Sequence, residues 1–379
     1  MDPQTNTGEG ILEVLENGTG FLRVRPGLEA SPRDVYVAQS QIRAFGLRTG
    51  DRVAGTVRPP AGKERHPSLL AVETVEGEPA ERAAVRPLFD SLTAVSPEVR
   101  LRLESGASDL TGRAIDLLAP LGRGQRGLIV APPKAGKTRI LQQIARSVAR
   151  TAPDITLLLL LIDERPEEVT DFRREGFGQV FASSFDAEPR SHLHLARLVM
   201  ARAERLVERG RHVFILLDSL TRLARASNLG ARGTGRSLSG GMDAAALTMP
   251  RQFLGDARAI EGGGSLTILA TVLVETGSRL DELIFEEFKG TGNWEVRLER
   301  RVAERRLYPA IDVAASGTRR EELLVPAEEL EAVNKLRRYL LDFAPEPERR
   351  TERLLNLLQT TSSNAELLER VRRGPLGRA

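Results

Sequence analysis

Apolar residues fall along this chain in two rhythms. Between residues 9 and 75 they come in short runs split by turn residues. Ile11, Val14 and Leu15 precede Asn17-Gly18, a strong hairpin signal because such turns need residues that tolerate positive φ. Phe21-Leu-Arg-Val24 reads as the return strand, and Asp34-Val-Tyr-Val37, Arg52-Val-Ala-Gly-Thr-Val57 and Leu69-Leu-Ala-Val72 follow. Five short strands predict a small all-β barrel of OB or cold-shock type. From about residue 109 the rhythm changes. Strands are expected at 127–131, 155–162, 178–183, 212–217 and 265–274, and helices at 137–150, 166–175, 189–209, 219–228 and 243–256. Uninterrupted apolar runs such as Leu157 to Ile162 suit strands buried on both faces of a parallel sheet. Such alternation predicts a doubly wound α/β domain. A period near 3.6 through Leu330, Val333, Leu336 and Leu340 makes 326–371 helical. Residues 76–110, rich in Glu, Ala, Arg and Pro, read as a partly ordered linker.

Composition narrows the function classes. The formal net charge of +3 over 379 residues permits a polyanion partner without requiring one. With no cysteine, disulfides and cysteine-ligated zinc are excluded. No apolar run approaches the ~18 residues of a membrane span. The polar start, Met1-Asp-Pro-Gln-Thr-Asn-Thr-Gly, carries no signal-peptide pattern.

The chemistry concentrates at strand ends. Gly127-Leu-Ile-Val-Ala-Pro-Pro-Lys-Ala-Gly-Lys-Thr138 runs from an apolar strand through a turn into a helix, the layout of a P-loop. Backbone N–H groups there would cradle phosphates, Lys137 would reach the β/γ-phosphates and Thr138 would hold Mg²⁺. Ala131 stands where the first glycine of the usual motif is expected, so this segment alone leaves an ordinary strand–turn–helix unit open. Two further apolar runs end in acids, Asp163-Glu164 and Asp218. That is the rim where α/β sheets bind ligands. Asp218 reads as the Mg²⁺-linked acid and Glu164 as the base that orients an attacking water. Two glycine-rich stretches, 230–241 and 288–292, combine small residues with cations and would let backbone approach a polyanion. Composition alone leaves plain surface loops as the alternative.

Several of these segments together resemble the bacterial transcription termination factor Rho family. They are Ala-Pro-Pro-Lys-Ala-Gly-Lys-Thr (131–138), Leu-Ile-Asp-Glu-Arg-Pro-Glu-Glu-Val-Thr (161–170), Asp-Ser-Leu-Thr-Arg-Leu-Ala-Arg-Ala (218–226), Glu-Glu-Phe-Lys-Gly-Thr-Gly-Asn (286–293) and Ser-Gly-Thr-Arg-Arg-Glu-Glu-Leu-Leu (316–324). The resemblance implies an RNA-dependent ATPase and 5'-to-3' RNA translocase that terminates transcription. It implies a homohexameric ring of RecA-like fold, cytoplasmic, using ATP and Mg²⁺. Single-stranded nascent RNA, RNA polymerase and elongation factors are the implied partners. The implied domains are an RNA-binding barrel over 1–76, a linker over 77–110 and a RecA-like ATPase domain over 111–379.

It also implies residue roles. Lys134, Ala135, Gly136, Lys137, Thr138 and Arg139 would surround the nucleotide, with Arg165, Arg222 and Arg306 at the nucleotide and subunit junction. Tyr308 would stack on adenine, although a core tyrosine at a strand end is the other reading of its pattern. Arg319 matches an arginine finger supplied by the neighbouring subunit. Arg236, Ser237, Leu238, Ser239 and Gly240 match the pore loop. Lys289, Gly290, Thr291 and Gly292 match a second loop touching RNA. On the barrel, Phe21 would stack on a base and Arg23 would meet phosphate or base edges, with Leu15, Asp34, Tyr36, Glu64 and Arg65 at further binding positions. Strand alternation alone leaves Phe21 an even chance of pointing into the core. Thr19 and His66 stand where the family often has aromatics, which predicts weaker or altered capture. A non-enzymatic RNA-binding module with a degenerate ATPase core is one competing function, against which the presence of Lys137, Thr138, Glu164, Asp218 and Arg319 argues, and a rotary or export ATPase catalytic subunit on the same core is the other. The segment 288–292 and the pair Phe21 and Arg23 argue against it.

Overall fold

A computed structural model describes residues 6–230 and 241–374. The pore-loop positions Arg236, Ser237, Leu238, Ser239 and Gly240 lie outside the described residues.

The N-terminal unit is a closed five-stranded barrel. β1 (Asn6–Val14), β2 (Gly20–Arg23), β3 (Val35–Val37), β4 (Arg52–Arg58) and β5 (Ser68–Val75) pair in the order β3-β2-β1-β4-β5, and Tyr36 pairs with Ser68 to close it. Inward positions such as Leu12, Leu22, Val35, Val37, Val53 and Val75 form the core, while Phe21, Arg23 and Tyr36 alternate to the outside. The register explains the alternation, because Leu22 pairs with Leu12 and with Val35. The hairpin loop is longer than a two-residue turn: Leu15 N–H donates to Thr19, and Gly18 takes φ +80°. A short helix, α1 (Gln39–Ala44), was not legible from pattern; it buries only Ile42.

The second unit is a parallel sheet with helices on both faces. β6 (Arg126–Ala131), β7 (Ile155–Glu164), β8 (Gln179–Ser184), β9 (His212–Asp218), β10 (Ser265–Leu273) and β11 (Trp294–Arg297) lie in the order β8-β7-β9-β10-β6-β11. The continuous apolar runs are divided between two cores: Leu157, Leu159 and Leu161 face one, Leu158, Leu160 and Ile162 the other. Helices α2 (Leu110–Leu118), α3 (Lys137–Thr151), α4 (Pro166–Glu175), α5 (Pro189–Val207), α6 (Leu220–Gly230), α7 (Thr248–Gly255) and α8 (Arg279–Lys289) cover the sheet. Proline opens α4 and α5, where a missing N–H costs nothing, and Asp109 caps α2 by accepting from Gly112 N–H. Three C-terminal helices, 327–343, 347–359 and 364–373, complete one face.

Some boundaries shift. The helix expected over 243–256 is a 3₁₀ turn, Ala244–Leu247, followed by α7. Phe288 and Lys289, read as loop, end α8, because Phe288 is wholly buried and holds the last turn to the core. Parts of 76–110 are built into the ATPase unit: Ala94–Val95 pair with 258–260, and Arg100–Leu101 with Leu121–Gly122. The barrel docks against α5. Glu208 is buried and accepts from Arg48 (2.8 Å), Arg205 (2.7 Å) and Phe89 N–H (2.9 Å). Gly50, at φ +94°, passes so near the α5 backbone that a Cβ would lie 2.4 Å from Ala201.

Candidate functional site: a nucleotide pocket and an RNA-facing barrel

At the carboxyl rim of the sheet three charged side chains converge. Lys137 Nζ, at the start of α3, lies 2.8 Å from Glu164 Oε1 and 2.5 Å from Asp218 Oδ1. Their strands are neighbours, with Leu161 paired to Asp218. A bulge between Ile162 and Glu164, with Asp163 at φ +58°, re-aims Glu164 toward the P-loop. That bulge also lengthens β7 beyond the expected 155–162.

The electrostatics follow from two buried acids sharing one cation. Burial and the Asp218 charge raise the Glu164 pKa, against the pull of Lys137. Burial opposes the Lys137 charge, yet Asp218 and Glu164 hold its pKa above the ordinary lysine value. Asp218 Oδ1 also accepts from Thr271 (2.7 Å), while its buried Oδ2 has no hydrogen-bond partner among the described residues. A free carboxylate oxygen is the donor chemistry that Mg²⁺ or its water takes. The Thr138 hydroxyl donates to Glu168 (2.9 Å). Arg222 pairs with Asp163 (2.9 Å) and lies 3.7 Å from Glu164. Thr271 and Glu168 were missed by sequence reasoning. A mid-strand threonine gives no pattern signal, and a first-turn glutamate reads as an ordinary helix acid.

A cavity of about 140 Å³ opens behind the P-loop, lined by Ala135, Gly136, Arg139, Leu298, Tyr308 and Pro309, among others. Arg139 lies over the Tyr308 ring at 5.0 Å. Gly136 combines φ +91° with a Cβ position 3.1 Å from that ring, so only glycine fits without movement. Tyr308 is half-buried, lining the cavity and packed against the edge of the core. Lys134, Arg165 and Arg306 are exposed around this rim.

Arg319 is elsewhere. It follows Gly317–Thr318, which pairs with the amino end of β11, where Trp294 pairs in turn with Gly127 at the start of β6. The P-loop lies beyond the other end of β6, a strand length of roughly 20 Å away at ~3.3 Å per residue. Arg319 lines a different cavity, of about 300 Å³, with Lys289, Gly292, Asn293 and Glu295. Gly290 and Thr291 connect α8 to that cavity, with Thr291 N–H donating to Phe288.

On the barrel, Phe21 is half-buried on the outer face. Its ring meets Tyr36 edge-on at 5.8 Å and His66 at 4.9 Å. Arg23 lies 5.7 Å from the Phe21 ring. The outward reading of Phe21 is therefore the one observed. His66, where the family often has an aromatic, adds its ring to this cluster. Asp34 differs from expectation: it is wholly buried and accepts from Arg23 (2.6 Å) and Ser31 N–H (2.9 Å), so it holds Arg23 and does not face solvent. Glu13, which sequence reasoning missed, is the second anchor of Arg23 at 2.6 Å and also meets His194 of α5 at 3.2 Å. Glu64 is exposed and paired with Arg58 at 2.9 Å, and Arg65 is exposed beside it. Leu15, half-buried, sits in the hairpin loop.

Comparison with known proteins agrees with both halves. Residues 8–81 match the Rho termination factor RNA-binding domain, and residues 112–318 match the nucleotide-binding domain of the ATP synthase alpha/beta family. Transcription termination factor Rho of Pseudomonas fluorescens biotype C is 52% identical over 97% of this chain and 88% of its own. The chain belongs to the Rho family. Rho of Escherichia coli K12 is 50% identical over the same shares. An ATPase from the type III secretion system of pathogenic bacteria shares the fold, with a TM-score of 0.62 at 23% identity, covering 83% of this chain and 94% of that one. That likeness concerns architecture. The Rho membership and the RNA-binding domain set aside the rotary or export reading and make this chain an ATP-hydrolysing, RNA-binding enzyme. No helix among the described residues is long and apolar enough to cross a membrane.

Proposed function

We propose that this member of the Rho family is a cytoplasmic homohexameric motor. It captures a nascent single-stranded transcript on its barrel (1–76), moves along it 5'-to-3' by hydrolysing ATP in the 111–379 domain, and so terminates transcription by RNA polymerase and its elongation factors. The residues 77–110 join the two.

The observation that carries the reading is the separation of Arg319 from the P-loop of its own chain. An arginine finger at the amino end of the sheet serves a nucleotide only if a neighbouring subunit supplies it. Lys137, Lys134 and the P-loop amides would bind the phosphates, and Tyr308 and Arg139 would hold the base. Thr138 and Asp218 would hold Mg²⁺, which supplies charge neutralisation at the phosphates. Glu164 would orient the attacking water once Lys137 turns to the phosphates. Arg165, Arg222 and Arg306 would line the junction. Arg236 to Gly240 and Lys289 to Gly292 would touch the RNA in the channel. The test is ATP turnover with RNA, with DNA of the same sequence and with neither. RNA-specific stimulation is expected, and turnover indifferent to nucleic acid would contradict the reading.

A further inference from the structure

A second, larger cavity lies between the barrel and the ATPase unit. It measures about 820 Å³, and its charged lining is Arg23, Arg173, Arg190 and His194 against a single carboxylate, Glu29. The loop at 24–29 divides it from a neighbouring cavity of about 860 Å³ that shares Arg23, Arg173 and Glu29 and adds Arg25, Arg52, Arg202 and Glu9. Most of the cations in this open trough at the domain junction are already paired, Arg23 with Glu13 and Asp34, Arg173 with Glu29 at 3.7 Å, Arg52 with Glu9 and Arg202 with Glu76, which leaves Arg190 and Arg25 without an ion pair among the described residues.

Three features show what this trough takes. Arg190 is exposed and has no ion-pair or hydrogen-bond partner among the described residues, so its charge is available. It stands in the first turn of α5, a 19-residue helix whose N-cap is Glu188 and which has no side-chain cap, so the free N–H groups of the helix end and the Glu188 charge act there in opposite directions. Arg23 belongs both to this cavity and to the aromatic cluster, lying 5.7 Å from the Phe21 ring. The trough thus begins where the base-stacking face ends. Its opposite wall is α4, which starts immediately after Glu164 and Arg165. The Ser191 hydroxyl also lines the trough, while that of Ser184 is hydrogen-bonded to Asp186.

We propose that this trough is a further RNA-binding site, which holds the sugar-phosphate backbone of the strand leaving the barrel through Arg190 and Arg173. It rests on the reading of the barrel as the RNA-capture site. Backbone contacts there carry no sequence preference, and they place RNA against the helix that follows the water-orienting glutamate.

The test uses the intact protein and two probes, a dinucleotide too short to reach beyond the barrel and a long single-stranded RNA, titrated over a range of salt. The double variant Arg173→Ala, Arg190→Ala is expected to bind the long RNA roughly tenfold more weakly, as for loss of charge-assisted contacts. Its salt slope should be shallower by about 0.7 per lost phosphate contact. Dinucleotide affinity and melting temperature should be unchanged, and Arg190→Lys should keep most of the slope. Unchanged affinity and slope for the long RNA overturn the proposal. Equal loss for both probes with a lowered melting temperature also overturns it, because the arginines would then be packing residues. Phe21→Ala separates the two readings: it should weaken both probes. If it weakens neither, the barrel reading fails independently of the arginines.

Discussion

The nucleotide site and the barrel's RNA face hold their charges in opposite ways. At the rim, Lys137, Glu164 and Asp218 are drawn together and largely buried, so each charge depends on the others. On the barrel, Glu13 and Asp34 are buried beneath Arg23, and the aromatic rings of Phe21, Tyr36 and His66 remain half-open above. A site that must change the charge of a phosphoryl group keeps a tense, desolvated cluster that a nucleotide rearranges. A site that must grip any passing base keeps a stiff cation and an open π-surface. On the proposed function, one would serve turnover and the other capture.

The sharpest way to break that contrast is to leave the cluster's shape but remove its chemistry. Glu164→Gln should keep ATP binding and lose turnover by roughly 10²–10⁴, the range for a positioned acid–base group. Wild-type turnover would end its role. Next in size, mixing Arg319→Ala chains with Lys137→Ala chains should restore part of the activity that each lacks alone, at junctions carrying both sound halves. No recovery at any ratio, with subunit exchange verified, would count against a finger supplied in trans. A third substitution probes the joint between the regions. Gly50→Ala forces a Cβ into the Ala201 backbone and a side chain into φ +94°, and should destabilise the docked barrel by about 1–3 kcal/mol. A lowered first transition on thermal melting, with ATP binding retained, would show it. The smallest effect is in pH. Because burial and Asp218 raise the Glu164 pKa, this carboxylate loses its charge earlier as pH falls. The acid limb of kcat should therefore lie above the ordinary carboxylate range near 4.3, and a limb at or below that value would disagree.

Much of this was legible because the physics is local. Buried parallel strands must be continuously apolar, so Leu157–Ile162 and the run ending at Asp218 announce both a strand and the rim at its end. The barrel strands alternate, so their existence was readable, but not which face Phe21 takes. That depended on Leu22 pairing with Leu12 and Val35. What escaped is non-local. Asp34 matches an RNA-binding position in the sequence until Arg23 and Ser31 are folded around it, and Thr271 gains its role only through Asp218 on the next strand. The bulge at Asp163, which aims Glu164, leaves no mark in a pattern of apolar and polar positions.

The most direct test of separate capture and turnover sites is the RNA dependence of ATP hydrolysis by Phe21→Ala. Loss of one stacked base, about 1–3 kcal/mol, should raise the RNA concentration needed for half-maximal turnover by roughly 5–150-fold. Maximal turnover at saturating RNA, and the melting temperature of the barrel, should stay at the wild-type values. A fall in maximal turnover with no change in the RNA requirement, or collapse of the barrel's melting transition, would contradict it.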